Sequence, residues 1–400
     1  MSGTPDAVRG LLDRAAALYP EGGPGAAEVR AARERLAEPL RVAVAGKVKA
    51  GKSTLLNALL GERLAATDAG ECTLVTTWYR HGLAPGATVV LRDGRREALP
   101  LRSEPGGVPF DLGGHTPDAV AHVEVTWPLP ILERLTLIDT PGVGSLTTEA
   151  SERTVDLVRP EDGVPGVDAL VYLLRHRHAA ELELLRAFHA DTRGALDDPG
   201  LTVLGVLSRA DELGEQGLDA MLRAQSLADA YAGDPAVAEL CGGVLPVAGL
   251  LAQGAQTMTH DDYAALLRYA DIPKERRDRL TLSAARFVSA DEPLLDAGAR
   301  FALVARLGLF GVRLGASLVR LGFDTPDALA AELLRRSGLP ALAAAVEAGY
   351  AASAELLKGR SGLRSLAAIL AAHPRRGTET LAEELAAVQG AAADLRELAL

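Results

Sequence analysis

Cysteine and net positive charge are both scarce in this sequence of 400 residues, and each shortage excludes a class of protein. Two cysteines, Cys72 and Cys241, cannot form the disulfide framework of a small secreted scaffold. The net charge of -11 argues against a general nucleic-acid binder, because phosphate backbones are held by clustered Lys and Arg. The first ten residues lack the basic and apolar regions of a signal peptide. We therefore expect a cytoplasmic protein that does not bind nucleic acid.

The sequence also lacks an uncharged apolar segment of membrane-spanning length. Residues 301–323 come nearest, but they carry Arg306, Arg313 and Arg320. Each central Arg opposes insertion by about 2.5 to 3.5 kcal/mol, so an isolated span is not expected here. Because the three arginines are seven apart, they share one helix face. Either this face of a bundle helix meets solvent or carboxylates, or the helix lies at an interface and meets anionic lipid.

Hydrophobic residues make up 48% of the chain, which is ample for more than one core. Short β-branched runs alternate with helical segments up to about residue 253, as is typical of an α/β sheet. Beyond about residue 256, alanine, leucine and paired charges predict helices. The predicted parts are N-terminal helices (1–39), an α/β domain (40–255) and a helical bundle (256–400). The recognisable strands are RVAVAG, TVVLRDG, AHVEVTW, RLTLIDT, DALVYLL and LTVLGVLS.

A phosphate-binding motif stands at the start of the α/β part. Gly46, Gly51, Lys52 and Ser53 match G-x-x-x-x-G-K-[ST], between an apolar strand and a helical run. Glycines let backbone N–H groups approach phosphate oxygens at the positive end of a helix, Lys52 adds an ammonium, and Ser53 is the predicted Mg²⁺ ligand. The predicted phosphate-binding residues are Gly46, Lys49, Ala50, Gly51, Lys52, Ser53 and Thr54.

A second motif indicates which base is bound. In VLGVLSRADE, Ser208, Arg209 and Asp211 occupy the positions of an [NT]-K-x-D guanine motif. A carboxylate can accept both N1–H and the 2-amino group of guanine, which adenine does not offer, while the Arg209 stem packs on the base. A later segment, VLPVAGLLA, is expected to wrap the base around Ala248 and Gly249. GTP and GDP are therefore the predicted nucleotides.

Residues that sense the γ-phosphate are predicted between these two motifs. In RLTLIDTPGVGS, Asp139 ends a strand and is expected to hold Mg²⁺ through a water, and the Gly142 N–H is expected to contact the γ-phosphate. Upstream, Thr73 is the candidate second hydroxyl ligand to Mg²⁺, ordered in the triphosphate state. Thr76 and Thr77 are its rivals.

Taken in order, GKVKAGKST, Thr73, DTPG and SRAD resemble the G domain of the dynamin superfamily, and GKVKAGKSTLLNALLG is similar to its bacterial members. The phrases LGLFGVRL and SAELLKGRSGL resemble the isoniazid-inducible dynamin-like proteins of actinobacteria. The resemblance implies a P-loop GTPase domain, with a mostly parallel sheet and helices on both faces. It also implies an elongated helical neck or trunk that is built from segments before and after that domain.

The same resemblance implies GTP hydrolysis, dimerisation through the G domains with another copy or a related dynamin-like protein, and membrane remodelling. An anionic membrane surface is thus a possible partner, and the protein would act in the cytoplasm or at the inner face of the cell membrane. One alternative function is a soluble GTP-gated switch that recruits a protein and hydrolyses little. Another is a ribosome-associated GTPase, but the acidic charge counts against it.

Two positions depart from the pattern of related GTPases. Val143 stands where a water-positioning Gln or His could follow the DTPG turn. Lys49 stands at the fourth phosphate-loop position, where related GTPases have a small polar residue that helps to hold a monovalent cation. We hypothesise that the Lys49 ammonium replaces that cation and stabilises charge on the β–γ bridge, which would make Lys49 catalytic together with Lys52, Thr73 and Gly142. Alternatively, Lys49 faces outward and contacts a dimer partner.

Overall fold

The fold is built on one mixed β-sheet. The computed structural model describes residues 3–65, 75–101, 112–141, 166–175, 182, 185–186 and 202–397. The strands are β1 (Leu40–Gly46), β2 (Thr77–His81), β3 (Gly86–Leu91), β4 (Arg96–Leu99), β5 (Val120–Trp127), β6 (Leu135–Asp139), β7 (Ala169–Leu174), β8 (Val203–Ser208) and β9 (Val244–Val247). Their order across the sheet is β4-β3-β5-β2-β6-β1-β7-β8-β9.

Strand direction divides the sheet into a parallel half and a mixed half. The strands from β6 through β1, β7 and β8 to β9 are all parallel. On the other side β2 runs antiparallel to β6 but parallel to β5, and β3 is antiparallel to both β4 and β5. The prediction of a mostly parallel α/β sheet is confirmed, and all six predicted strands are present. The carboxyl ends of β1, β6, β7 and β8 share one edge, which is where parallel sheets bind ligands.

Helices surround the sheet and make up the region that follows it. The first part of the chain contains α1 (Gly3–Leu18), α2 (Ala26–Ala37), α3 (Lys52–Leu60), α4 (Pro130–Arg134), α5 (Ala220–Ala232) and α6 (Pro235–Ala238). The second part contains α7 (Gly249–Gln256), α8 (His260–Asp271), α9 (Lys274–Leu280), α10 (Ala284–Ser289), α11 (Ala297–Arg320), α12 (Pro326–Arg336), α13 (Leu339–Ala345), α14 (Ala354–Ala372) and α15 (Thr378–Glu397). A helical C-terminal region is thus confirmed.

Both faces of the sheet are covered. Val42 and Val44 of β1 belong to a core that includes Leu56 of α3. Residues of the C-terminal region enter the same core through α13 and the wide helical turn Val346–Ala351, where the buried Tyr350 hydroxyl donates to the carbonyl of Leu170 in β7 at 2.8 Å. On the opposite face, alternate residues of β1 and β7 pack with α5. Part of the C-terminal region is therefore part of the sheet's own core.

The remaining helices form two packed groups. Leu307 and Phe310 of α11 lie in a cluster that draws on α7 through α12. A separate cluster joins Leu12 of α1 and Val29 of α2 to Leu366 of α14, with further residues from α15. The helices before the sheet therefore pack with the last helices of the described chain.

The three arginines of α11 contact neighbouring protein segments. Among the described residues, α11 alone is long and apolar enough to cross a membrane by length and composition, and 61% of its most apolar window is buried. Arg306 pairs with the Asp262 carboxylate at 2.9 Å. Arg313 donates to the carbonyls of Glu215 and Gln216 at 2.8 and 2.6 Å. Arg320 donates to the carbonyl of Ala270 at 3.2 Å. A carboxylate partner is thus found for Arg306, and Arg313 bonds to backbone carbonyls, while Arg320 is exposed. Contact of this stripe with lipid stays a prediction.

A buried carboxylate joins the sheet to helices from both ends of the chain. Asp168, just before β7, is fully buried, and its Oδ2 accepts a hydrogen bond from the Arg35 guanidinium of α2. The same oxygen accepts from the backbone N–H of Arg41 at 2.8 Å, and Oδ1 accepts from the Ser361 hydroxyl of α14 at 2.8 Å. Arg360 donates to the Asp168 carbonyl at 3.1 Å. One side chain therefore links α2, β1, β7 and α14.

We expect Asp168→Ala to destabilise the protein by about 3 to 5 kcal/mol, since the buried Arg35 charge would lose its counterion. Asp13→Ala is the matched control, because Asp13 pairs with Arg33 at 2.7 Å with both side chains about half exposed. Such a surface pair contributes about 1 kcal/mol or less. Urea unfolding followed by circular dichroism measures both changes. Equal midpoints for the two variants would contradict the linking role of Asp168.

Candidate functional site

The phosphate loop lies between β1 and α3, at the carboxyl edge of the sheet. Gly46 has φ 151°, and a Cβ at this position would stand 2.9 Å from the carbonyl oxygen of Leu173 in β7, so the sheet leaves no room for a side chain. Gly51 immediately precedes α3. Lys49 is exposed and has φ 63°, in the left-handed region that few residues other than glycine adopt. The loop thus keeps its backbone close to the positive end of α3.

The charged groups of the loop converge on the end of β6. The buried Lys52 ammonium donates to the carbonyls of Gly46 and Lys47, each at 3.4 Å. The Ser53 hydroxyl donates to Asp139 Oδ2 at 3.0 Å. Burial lowers the pKa of Lys52 and raises that of Asp139, while the attraction between the two groups opposes both shifts. A hydroxyl, a carboxylate and an ammonium therefore stand together beside the phosphate loop.

A cavity of about 160 Å³ extends from the phosphate loop to the segment after β8. Asp211 is buried in its wall, and desolvation raises the pKa of this carboxyl to about 6. A ligand that donates two hydrogen bonds would stabilise its charged form. The lining residues are Ala50, Gly51, Thr54, Leu55, Leu173, Val206, Ser208, Arg209, Asp211, Glu212, Val247, Gly249 and Leu250.

The other residues of the predicted guanine motif lie in the same wall. The buried Ser208 hydroxyl donates to the carbonyl of Leu174 at the end of β7, at 3.3 Å. Arg209 has a left-handed backbone, and its guanidinium donates to Glu212 at 2.7 Å. Arg175 donates to the same carboxylate at 2.9 Å. Glu212 thus holds Arg209 beside the cavity, a role that the motif did not indicate.

The segment predicted to wrap the base closes the cavity from the side of β9. The backbone N–H of Ala248 donates to the carbonyl of Ser337, after α12, at 2.8 Å. Gly249 begins α7, and a Cβ there would approach the Thr54 methyl at 3.7 Å. This side of the cavity is therefore attached to the C-terminal helices.

Not every predicted site residue can be placed. Thr73 and Gly142 lie outside the described residues, so their roles stay predictions. Their neighbours Thr76 and Thr77 are buried, and Thr77 stands opposite Asp139 in the pairing of β2 with β6. All the other predicted phosphate-binding and guanine-binding residues surround one loop and one cavity.

We expect Lys52→Ala to abolish nucleotide binding and to leave the fold intact, because it removes the buried ammonium beside the phosphate loop. Lys274→Ala is the control, since Lys274 is exposed on α9 and does not line the cavity. Titration with fluorescent GDP and GTP, together with circular dichroism, measures both properties. A folded Lys52→Ala protein that kept the wild-type affinity would overturn the assignment of this loop.

Comparisons with known proteins find GTPases and dynamin-like proteins that are similar to this chain. Residues 41–196 match a family model described as 50S ribosome-binding GTPase. A bacterial dynamin-like protein of Nostoc punctiforme is 27% identical over 191 residues, which cover 45% of this chain and 26% of that protein. A solved chain from an oligomerised bacterial dynamin pair, described as sensing and tethering membranes, aligns over 83% of this chain and 50% of its own with 14% identity and a TM-score of 0.37.

Identity is highest, among these relatives, with a mycobacterial protein. The isoniazid-induced protein IniC of Mycobacterium tuberculosis is 40% identical over 378 residues, which cover 93% of this chain and 76% of IniC. The match therefore runs through the sheet, the cavity and most of the helical region alike. On this evidence the chain belongs to the IniC family of bacterial dynamin-like GTPases.

Proposed function

We propose that this GTPase holds the phosphates of GTP on the loop from Gly46 to Ser53, binds guanine at Asp211 and hydrolyses the nucleotide with Mg²⁺. The supporting observation is one cavity that joins the phosphate loop to a buried carboxylate with two acceptor oxygens. Guanine has two adjacent donors for that carboxylate, whereas adenine has none in that arrangement. Thr73 and Gly142 complete the proposal as contacts to the metal and the γ-phosphate.

The chemistry around Asp139 fits Mg²⁺. Asp139 Oδ1 is buried and has no hydrogen-bond partner among the described residues, and its other oxygen accepts from Ser53. A hydroxyl and a carboxylate next to phosphate oxygens form the all-oxygen set that Mg²⁺ prefers, with waters filling the remaining positions. When bound, the ion neutralises charge on the phosphate oxygens. Ser53 would contact it directly, and Asp139 would hold it through a water.

We further propose that two copies meet over the bound nucleotide. Beside the exposed Lys49, Val48 is 44% exposed, so the phosphate loop presents an apolar and a cationic side chain on the outside. No described residue accepts a hydrogen bond from the Lys49 ammonium. A second copy that covers this surface would exclude water and strengthen the interaction of Lys49 with charge developing on the β–γ bridge. In this scheme Lys49 acts in place of a monovalent cation.

We expect GTP turnover per molecule to rise with protein concentration and to be the same in potassium and choline salts. Val48→Asp should remove the rise, because it places a buried charge in the proposed interface. Leu83→Asp is the control, since Leu83 is almost fully exposed between β2 and β3. Phosphate release across a concentration series, with light scattering in a non-hydrolysable GTP analogue, measures these effects.

Either of two results would contradict these proposals. A rate per molecule that stays flat in the wild type would support the soluble GTP-gated switch. Strict dependence on potassium would exclude the replacement of the cation by Lys49.

We also propose contact with an anionic membrane surface at the inner face of the cell membrane, through the helical region. Leu282, Leu294 and Phe301 are 67%, 52% and 63% exposed within a stretch of twenty residues that runs from the end of α9 into α11. The helix just before it, with sequence KERRDRL, is rich in basic residues. Exposed apolar side chains beside Lys and Arg are typical of interfacial membrane contact.

Wild-type protein should co-sediment with anionic liposomes in the presence of a non-hydrolysable GTP analogue. The double substitution Leu294→Asp, Phe301→Asp should weaken binding by about 100-fold or more, because two apolar side chains would no longer enter the interface. Leu222→Asp, at an exposed site on α5, is the control and should pellet normally. If the wild type failed to pellet in every nucleotide state, this membrane proposal would be wrong.

A further inference from the structure

The long helix α11 is interrupted next to the guanine site. At Gly308 the backbone leaves the helical conformation, with φ 68° and ψ 170°, and the helix resumes afterwards. A Cβ at Gly308 would lie 3.5 Å from Asp211 Oδ2 and 3.5 Å from a methyl of Leu250, which lines the cavity. Glycine readily adopts a positive φ, so the interruption places backbone without a side chain near the carboxylate.

Five residues later in α11, Arg313 forms hydrogen bonds to the turn that carries Asp211. Its guanidinium donates to the carbonyls of Glu215 and Gln216 at 2.8 and 2.6 Å, and a second nitrogen donates to the carbonyl of Thr281 at the end of α9. These bonds tie the Ala210–Gln216 turn to the helical region at a sequence distance of almost one hundred residues.

The residues that accept these hydrogen bonds, Glu215 and Gln216, have an unfavourable backbone conformation. Glu215 and Gln216 have φ values of 57° and 59°, and Gly214 before them has φ 58°. Side chains disfavour this left-handed region, and such residues persist where their surroundings hold them in place. Arg313 contributes to that hold, because one of its guanidinium nitrogens donates to the carbonyls of both Glu215 and Gln216.

We propose that α11 is part of the guanine site, with Gly308 and Arg313 as positioning residues that fix the Asp211 carboxylate for the base. The inference rests on the proposed role of Asp211 and deepens it, because specificity for guanine would then depend on the helical region. The bonds of Arg313 keep the turn in its left-handed shape, and the interruption at Gly308 places the backbone of α11 near Asp211 Oδ2.

The test compares GDP with IDP, which lacks the 2-amino group that Asp211 would bind. We expect the wild type to prefer GDP by about tenfold or more, the contribution of one hydrogen bond to a charged group. Arg313→Ala should bring the two affinities to within about twofold, since a displaced carboxylate loses that bond. Arg320→Ala is the matched control on the same helix, because Arg320 donates to the carbonyl of Ala270 and should keep the wild-type ratio.

A rescue separates positioning from general loss of structure. Adding Glu215→Gly and Gln216→Gly to Arg313→Ala should restore part of the GDP preference, because glycine adopts the left-handed turn without the guanidinium. If Arg313→Ala does not fold, Arg313→Met gives the same readout, because it keeps an apolar stem of similar length and removes every donor. A folded Arg313 variant with an unchanged ratio would overturn the inference.

Asp211→Asn distinguishes failure of the inference from failure of the underlying proposal. An Asn amide donates to the C2 carbonyl of xanthine, so this variant should prefer XDP over GDP. If it still prefers GDP, Asp211 does not bind the base and both ideas fall. If it switches to XDP while Arg313→Ala keeps the wild-type ratio, the inference about α11 alone is wrong.

Discussion

Burial of the Asp168 carboxylate is the constraint around which the chain is arranged. A charge with no access to water is tolerated when it is paired and its oxygens are hydrogen-bonded, and here the partners come from α2, β1 and α14. Removing any one of these partners would leave the buried Asp168 carboxylate incompletely compensated. Helices α2 and α14 are thereby held at the amino ends of β1 and β7, away from the phosphate loop.

The helical region therefore contacts the GTPase domain at both ends of the parallel strands. At the amino ends of the strands, α14 contacts Asp168. At their carboxyl ends, α11 contacts the turn that follows β8. Between them, α13 and Tyr350 pack on a face of the sheet itself. Movement of the helices relative to the nucleotide would have to break or shift charged and hydrogen-bonded contacts at defined places, in addition to apolar packing.

Features formed by residues that are close in sequence could be predicted, whereas contacts between residues far apart in sequence could not. The phosphate loop and the Asp211 motif were predictable, because their chemistry is written in a few adjacent residues between a strand and a helix. Strand β9 was missed since VLPV is short and contains Pro246, which is tolerated at a sheet edge, and β9 is indeed an edge strand. The arginine stripe of α11 was noticed, but its partners lie up to almost one hundred residues away, so no local pattern could identify them.

The wide turn at Val346–Ala351 has a consequence for which sequence changes this family can accept. It contains Tyr350, which donates to β7, and it is followed by α14, the helix that presents Ser361 to Asp168. Successive residues of a helix are about 100° apart around its axis, so inserting or deleting one residue between Tyr350 and Ser361 would rotate Ser361 away from the buried carboxylate while Tyr350 stayed in place. We therefore expect length variation among relatives in the surface loops. The number of residues from Tyr350 to Ser361 should stay constant, because both side chains bond to fixed positions at β7.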